Sequence, residues 1–199
     1  MCIIGHKGVK LFITELMDNT KIKSVVKSII EMIVIIAFVF VFLTYVIIPI
    51  RIQGKSMENT LYDENIVFIN GLGAINGNVD RFDVVVLNCE ALNEKIIKRV
   101  IGLPGDHIVY KDDKLYINDE LVEQDFLDEE FVEYSKKQYS VSCFTNDFEI
   151  DVNENEIFVL GDNRLKSTDS RDLGCFSFDD IIGKEGIVIY PFSNIKWLD

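Results

Sequence analysis

Lys95-Ile96-Ile97-Lys98-Arg99-Val100-Ile101, closed by Gly102-Leu103-Pro104-Gly105-Asp106, is the stretch on which the fold of this chain turns. A run rich in β-branched side chains that ends in a Gly- and Pro-bearing cluster reads as a strand and its turn. Alternation puts Ile96, Lys98 and Val100 on one face and Ile97, Arg99 and Ile101 on the other. One of the two adjacent cations must therefore point inward, or the strand lies at a sheet edge. Outward from it, residues 66–69, 84–87, 107–111, 115–117, 156–160 and 186–190 repeat the pattern of short apolar runs between turn residues. This spacing predicts a mainly β fold, with an antiparallel, barrel-like or sandwich-like body. Residues 120–150 are acidic, with Phe126, Phe131, Tyr134, Tyr139 and Phe144 interleaved, and fit either an appended hairpin or a helical excursion.

Upstream the pattern changes. From Met32 to Ile50 only Thr44, Tyr45 and Pro49 depart from aliphatic, Phe or Met side chains. At about 1.5 Å per residue this run reaches about 28 Å, close to the hydrocarbon thickness of a bilayer. A core helix would need apolar partners on every side, and the rest of the chain reads as strands. A cleaved secretory signal would be shorter and end in small residues, whereas Pro49-Ile50-Arg51-Ile52-Gln53 follows here. The expectation is a retained membrane anchor over 28–50. Lys7, Lys10, Lys21, Lys23 and Lys27 precede it, so the positive-inside rule leaves residues 1–27 in the cytoplasm and sends 51–199 across.

Charge divides at the same place. The 199 residues carry a net charge of -13, but residues 1–27 balance at +3 and residues 51–199 at -15. An acidic body is the wrong sign for nucleic acid, which needs a basic face against its phosphates. Four cysteines without close pairing write neither a zinc ribbon nor a disulfide scaffold, and Cys89, Cys143 and Cys175 form an odd set on the exported side. Metal chemistry has no Cys/His cluster or H-E-x-x-H to work with, and His107 is the only histidine after the anchor.

Three stretches are unusual for a plain β domain: Gly54-Lys55-Ser56-Met57-Glu58-Asn59-Thr60-Leu61, then Lys98 to Asp106, then Gly161-Asp162-Asn163-Arg164-Leu165-Lys166-Ser167-Thr168-Asp169-Ser170-Arg171. Ser56 after a glycine-bearing turn is either a capping serine or a nucleophile with a backbone N–H beside it. Lys98 is either an edge-strand cation or a base. Pressed onto Ile96 and Val100 it loses proton affinity, and a nearby Arg would add repulsion. The third stretch is a polar loop dense enough in Asp, Asn, Arg and Ser to orient other groups. Hydroxyl and amine together suggest nucleophilic catalysis by Ser with Lys as base.

Taken together, the three stretches behind an anchor resemble the bacterial type I signal peptidases, the leader peptidase family, in a compact Gram-positive-like form. The motifs that carry the resemblance are G-x-S-M-x-x-T-L, K-R-V-I-G-L-P-G-D and G-D-N-R-x-x-S-x-D-S-R, with Gly174 and Gly183 falling where the family has glycines. The resemblance implies Ser56 as nucleophile and Lys98 as general base. It implies Ser167 as the hydroxyl that orients the lysine, and Asp169 and Arg171 as an ion pair holding the loop. Ile52, Met57, Leu61 and Ile97 match pocket positions for small side chains, and the Ser56 N–H would serve the oxyanion. Some family members carry a hydroxyl where this chain has Gly54, and the family usually has Pro where this chain has Asn59. The activity implied is a membrane-bound serine endopeptidase that cuts signal peptides from secretory preproteins after A-x-A-like sites, through an acyl-enzyme, without cofactor or metal. The alternative is a membrane-tethered β-rich module that binds an exported partner and has lost catalysis. Intact Ser56, Lys98 and Ser167 argue against it.

Overall fold

The structure, a computed structural model, describes residues 6–75 and 79–198. Two compact units divide the chain, Met1–Tyr45 and Val46–Asp199.

The first unit is one long helix, α1 (His6–Val46). Its segment Lys21–Thr44 reaches a mean hydropathy of 2.6 and is long and apolar enough to cross a membrane. Apolar residues lie on every side of it, so it has no polar face to turn to water. Thr44 causes no breach in this stretch, because its Oγ1 donates to Phe40 O one turn back at 2.7 Å.

The sequence expectation carried this apolar segment to Ile50. The helix instead stops at Val46, and β1 (Ile47–Arg51) leaves it as a strand. Pro49 is the physical reason. It has no N–H for a helix and its ring clashes with the preceding turn, but an edge strand accepts it. β1 is such an edge, with Pro49 opposite Phe68.

The body continues through β2 (Ile66–Asn70), α2 (Leu72–Ile75), β3 (Val84–Cys89), β4 (Glu94–Gly102), β5 (His107–Lys111), β6 (Lys114–Ile117) and β7 (Glu120–Val122). There follow α3 (Glu129–Tyr139), β8 (Phe148–Asp151), β9 (Glu156–Leu160), α4 (Ser170–Leu173), β10 (Phe176–Ser177), β11 (Ile181–Tyr190) and β12 (Lys196–Leu198). An eight-stranded sheet runs β1-β2-β11-β3-β4-β9-β10 with β12 on β11, and a four-stranded sheet runs β7-β6-β5-β8. All the pairings are antiparallel. The mainly β expectation holds in its sandwich-like form, and the sheets do not close into a barrel.

The region 120–150 holds both strand and helix. Asp128 caps α3 by accepting from Phe131 N at 2.8 Å, and Ser140 ends it in the left-handed conformation. Glu129 and Glu130 in the first turn and Lys136 and Lys137 in the last complement the helix dipole.

β4 is the hinge of the molecule. It pairs with β3 on one side and β9 on the other, and its turn feeds β5 of the smaller sheet. Ile96 and Val100 enter one core cluster, while Ile101 enters another and Ile97 packs on a third. Both faces are therefore covered. The turn after it is braced by Asp106, whose carboxylate accepts from Leu103 N, Arg81 and Asn118 at 2.6, 2.9 and 3.1 Å.

Candidate active site

Because both faces of β4 are covered, both of its cations are buried: Lys98 is 3% exposed and Arg99 6%. Neither the choice of one inward cation nor the edge position was needed. Each has found a different solution.

Arg99 is neutralised. Its guanidinium makes a two-pronged bond to Asp162 at 2.9 and 2.8 Å, donates to Phe82 O at 2.7 Å and lies 4.3 Å over the Phe126 ring. Thr60 joins the same group, donating to Asp162 and accepting from Arg99. One residue from each unusual stretch thus meets in a single buried cluster. Removing one partner of such a pair costs about 3–5 kcal/mol, because the other charge is stranded.

Lys98 has no carboxylate within ion-pair distance among the described residues. Its Nζ lies 3.1 Å from Ser56 Oγ and 3.1 Å from Ile97 O. Burial pushes its pKa below the ordinary 10.5, against the opposing pull of Asp169, Glu94, Cys89 and Asp162. The expected arginine repulsion plays no part. The surrounding charges are acids that favour the ammonium, and desolvation outweighs them. A neutral amine has two N–H bonds and one lone pair. With one N–H placed on Ile97 O, the lone pair can turn to the Ser56 hydroxyl.

Ser56 is half-buried in the turn after β1. Its carbonyl accepts from Asn163 N at 2.9 Å, which ties the first unusual stretch to the third. Among the described residues its own N–H donates to no acceptor, so it is free to meet an incoming oxygen. Gly54 has φ of +87° and gives its N–H to Asp63 at 2.9 Å. A side-chain hydroxyl there would sit on left-handed backbone, which non-glycine residues rarely adopt. At Asn59, where a proline would tie the turn, the side chain donates to Phe126 O at 3.2 Å.

The third stretch wraps behind the pair. Asp169 is fully buried, caps α4, accepts from Gly161 N at 3.0 Å and takes two bonds from Arg171 at 2.8 and 2.9 Å. Burial alone would raise its pKa, but the Arg171 bonds and the Gly161 N–H hold it below the usual carboxylate value. Arg171 also reaches Arg164 O at 2.8 Å, so the pair closes the loop on itself. Ser170 Oγ accepts from Val159 N, fastening the loop to β9.

Ser167 makes no hydrogen bond to Lys98 in this arrangement. Its Oγ is buried and meets no partner at strict hydrogen-bond geometry, although the hydroxyl stands near enough to Asp169 to help hold that carboxyl down. It packs instead on Gly161. A Cβ on Gly161 would come within 2.2 Å of Ser167 Oγ and 2.5 Å of Ser56 O. The absence of a side chain at Gly161 is what lets the Ser167 loop and the Ser56 turn approach one another.

The expected pocket residues divide. Ile52, Met57 and Ile97 line a groove of about 390 Å³ that also holds Ser56 and the rim residues Lys166 and Thr168. Leu61 does not line it. It is completely buried in the cluster beneath, with Val67 and Val84.

The sequence reading missed Thr60 and Asp162 as partners of Arg99. It also missed Arg164, buried at 3% exposure and bonded to Gly161 O, Tyr110, Thr145 and Gln124. Two adjacent cations in a strand flanked by core residues were the available signal for the first pair. Nothing local announced the second. The three described cysteines are unpaired, and burial raises the Cys175 thiol to about 11, which keeps it protonated and inert.

The family model described as signal peptidase, peptidase S26, matches residues 23–190. The chain is 39% identical to Signal peptidase I U of Bacillus subtilis strain 168 over 182 residues, covering 91% of this chain and 95% of that protein. It is 34% identical to Signal peptidase IB of Staphylococcus aureus strain MRSA252 over 186 residues, covering 86% and 94%. The crystal structure of a signal peptidase I from Enterococcus faecalis V583 matches with 31% identity and a TM-score of 0.46, covering 54% of this chain and 96% of that one. A serine beside a buried lysine, and identity sustained over nearly the full length of two such relatives, lead to one conclusion: the chain belongs to the signal peptidase I family, peptidase S26, serine endopeptidases that remove signal peptides.

Proposed function

We propose that this chain cuts signal peptides from secretory preproteins with Ser56 as nucleophile and neutral Lys98 as base. The observation that carries this reading is the 3.1 Å approach of Nζ to Oγ at a lysine whose burial favours the uncharged amine. Lys98 takes the Ser56 proton as Oγ attacks the scissile carbonyl carbon. The oxyanion forms against the free Ser56 N–H. When the C–N bond breaks, Lys98 returns its proton to the leaving amine, and the acyl group stays on Ser56. Lys98 then takes a proton from water, the hydroxide attacks the ester, and Ser56 Oγ leaves with that proton. Asp169 and Arg171 hold the loop that backs the pair. Ser167 supports Lys98 once an acyl group or water offers its idle hydroxyl a partner. The balance closes without metal or cofactor.

Ile52, Met57 and Ile97 leave room beside Ser56 for small side chains, which fits an A-x-A-like site. The apolar segment of α1 anchors the chain in the cell membrane, with the lysines N-terminal to that segment in the cytoplasm and the catalytic body on the extracytoplasmic side. Detergent-solubilised enzyme incubated with a secretory precursor tests the proposal. Ser56→Ala and Lys98→Ala should each lower turnover at least about 10³-fold with the fold intact by circular dichroism. Substantial cleavage by folded Lys98→Ala would remove the dyad.

A further inference from the structure

The groove beside Ser56 has the opposite sign to the body around it. Residues 51–199 balance at -15. Yet the charged residues lining the groove are Arg51, Lys55, Lys95 and Lys166 against a single acid, Glu94. Two of these cations are already engaged. Arg51 is paired with Glu64, and Lys55 lies 3.5 Å from Glu58. Lys95 and Lys166 are exposed and have no carboxylate partner among the described residues.

Lys166 is also held in place. Its Nζ sits 4.3 Å over the ring of Tyr139, at the end of α3. A cation ordered on an aromatic face loses less conformational freedom when a ligand arrives than one that swings freely. Lys95 comes from the other side of the site, on β4 next to the groove residues Ile96 and Ile97. A net-acidic surface would draw cationic segments and repel acidic ones over most of the body. At this groove the preference reverses.

We propose that Lys95 and Lys166 make the enzyme selective for precursors that carry a carboxylate next to the small residues of the cut site. The inference rests on the reading of this groove as the substrate groove. Lys95 and Lys166 are specificity residues that touch the flanking chain, not the reacting atoms. An exposed ion pair of this kind changes binding about 1.5- to 5-fold, so two of them should separate an acidic from a basic flank by about tenfold at low salt. The difference should lie in KM and shrink as salt screens it.

The test uses the full chain in a neutral detergent without lipid. Three peptides share one small-residue cut site and differ in one flanking residue, Asp, Asn or Lys, placed in turn on either side of the cut. The expected order of kcat/KM is Asp, then Asn, then Lys. The ratio of the extremes should collapse to below about twofold in the Lys95→Gln/Lys166→Gln variant and persist in Lys111→Gln, an exposed lysine outside the groove. Lys95→Glu should move the preference toward the Lys peptide. Equal rates for the Asp and Lys peptides at both positions would overturn the proposal, as would a ratio that survives the double substitution. A lysine dependence seen only with anionic lipid vesicles would overturn it too, assigning the rim to headgroups. The Asn peptide keeps the two readings apart. Its cleavage with no charge preference sinks only the selectivity, whereas no cleavage of any peptide sinks the Ser56–Lys98 chemistry and the selectivity with it.

Discussion

If Lys98 is the base proposed above, it acts as a neutral amine, and that fixes the sign of its pH dependence. Protonation removes the lone pair that must accept the Ser56 proton, so kcat/KM should fall as pH drops through a pKa that burial has moved below 10.5. Glu94 works against this shift by favouring the ammonium. Glu94→Gln should therefore move the acid limb of the pH–rate profile to lower pH, and a limb displaced upward would contradict the electrostatic account. Gly161 gives a steric prediction. A methyl there meets Ser167 Oγ at 2.2 Å and Ser56 O at 2.5 Å, and the second contact is with backbone that cannot swing away. Gly161→Ala should cost at least about 10²-fold in kcat, since misplacing a reacting group by about 1 Å is enough for that. Ser167→Ala removes a buried hydroxyl that makes no bond to Lys98, so Tm should change little while kcat falls roughly tenfold, the worth of one orienting hydrogen bond. A loss in both would make Ser167 a structural residue only. At this scale the pairing of Ser56 with Lys98 was legible because a hydroxyl and an amine fit for nucleophilic chemistry must be particular side chains. Gly161 was quoted within its motif, but the reason for it was hidden, because a close approach between two loops leaves no trace in either loop alone. The Arg164 bonds to Tyr110, Thr145 and Gln124 were hidden for the same reason.

The elements were legible where a pattern was local. β4 and the turn at Asp106 followed from β-branched residues and a Gly-Leu-Pro-Gly-Asp ending, and β3, β5, β6 and β9 from similar runs. α3 carried its own signals as well, with Asp128 before two glutamates and two lysines in the last turn, although the surrounding aromatics masked them. β1 was misassigned because helix and strand are both apolar there, and hydropathy does not distinguish them. Pro49 was the one residue that did. The consequence concerns where the body begins. β1 pairs with β2 along five residues, and Ile48 and Ile50 pack on the cluster that also holds Ile52 and Met57. A fragment starting at residue 52 loses that edge strand, whereas one starting at residue 46 keeps it. Two half-buried isoleucines are worth about 2 kcal/mol, or a Tm about 4–8 °C lower for a body of this size. Thermal unfolding of the two fragments measures the difference, and equal Tm values would show that β1 contributes no stability.

The whole chain joins a helix fit for a bilayer to a body whose proposed nucleophile, Ser56, comes soon after it. Ser56 lies ten Cα steps after Val46, which at full extension reach about 33–36 Å, and residues 47–51 among them are committed to a strand. Tethering therefore keeps Ser56 within a few nanometres of wherever α1 ends, whatever angle the body takes. A signal peptide holds its own cut site just beyond an apolar segment of its own. If both segments lie in one bilayer, enzyme and precursor search a surface instead of a volume, and encounter is raised by effective concentration without a deep pocket. A groove of about 390 Å³ beside Ser56, lined by Ile52, Met57 and Ile97, is compatible with such an encounter. Tethering also separates chemistry from encounter. The fragment 46–199 retains Ser56, Lys98, the Asp169–Arg171 pair and β1, so it should cut a soluble signal-derived peptide with kcat close to that of the full chain. On a precursor embedded in lipid vesicles its kcat/KM should fall at least about 10²-fold below the full chain, the lower range of gains from joining two binding events on one scaffold. The peptide result calibrates the vesicle result, because a fragment damaged by truncation would fail on both. Equal kcat/KM on vesicles would mean that the shared membrane does nothing for encounter, and α1 would then need another purpose.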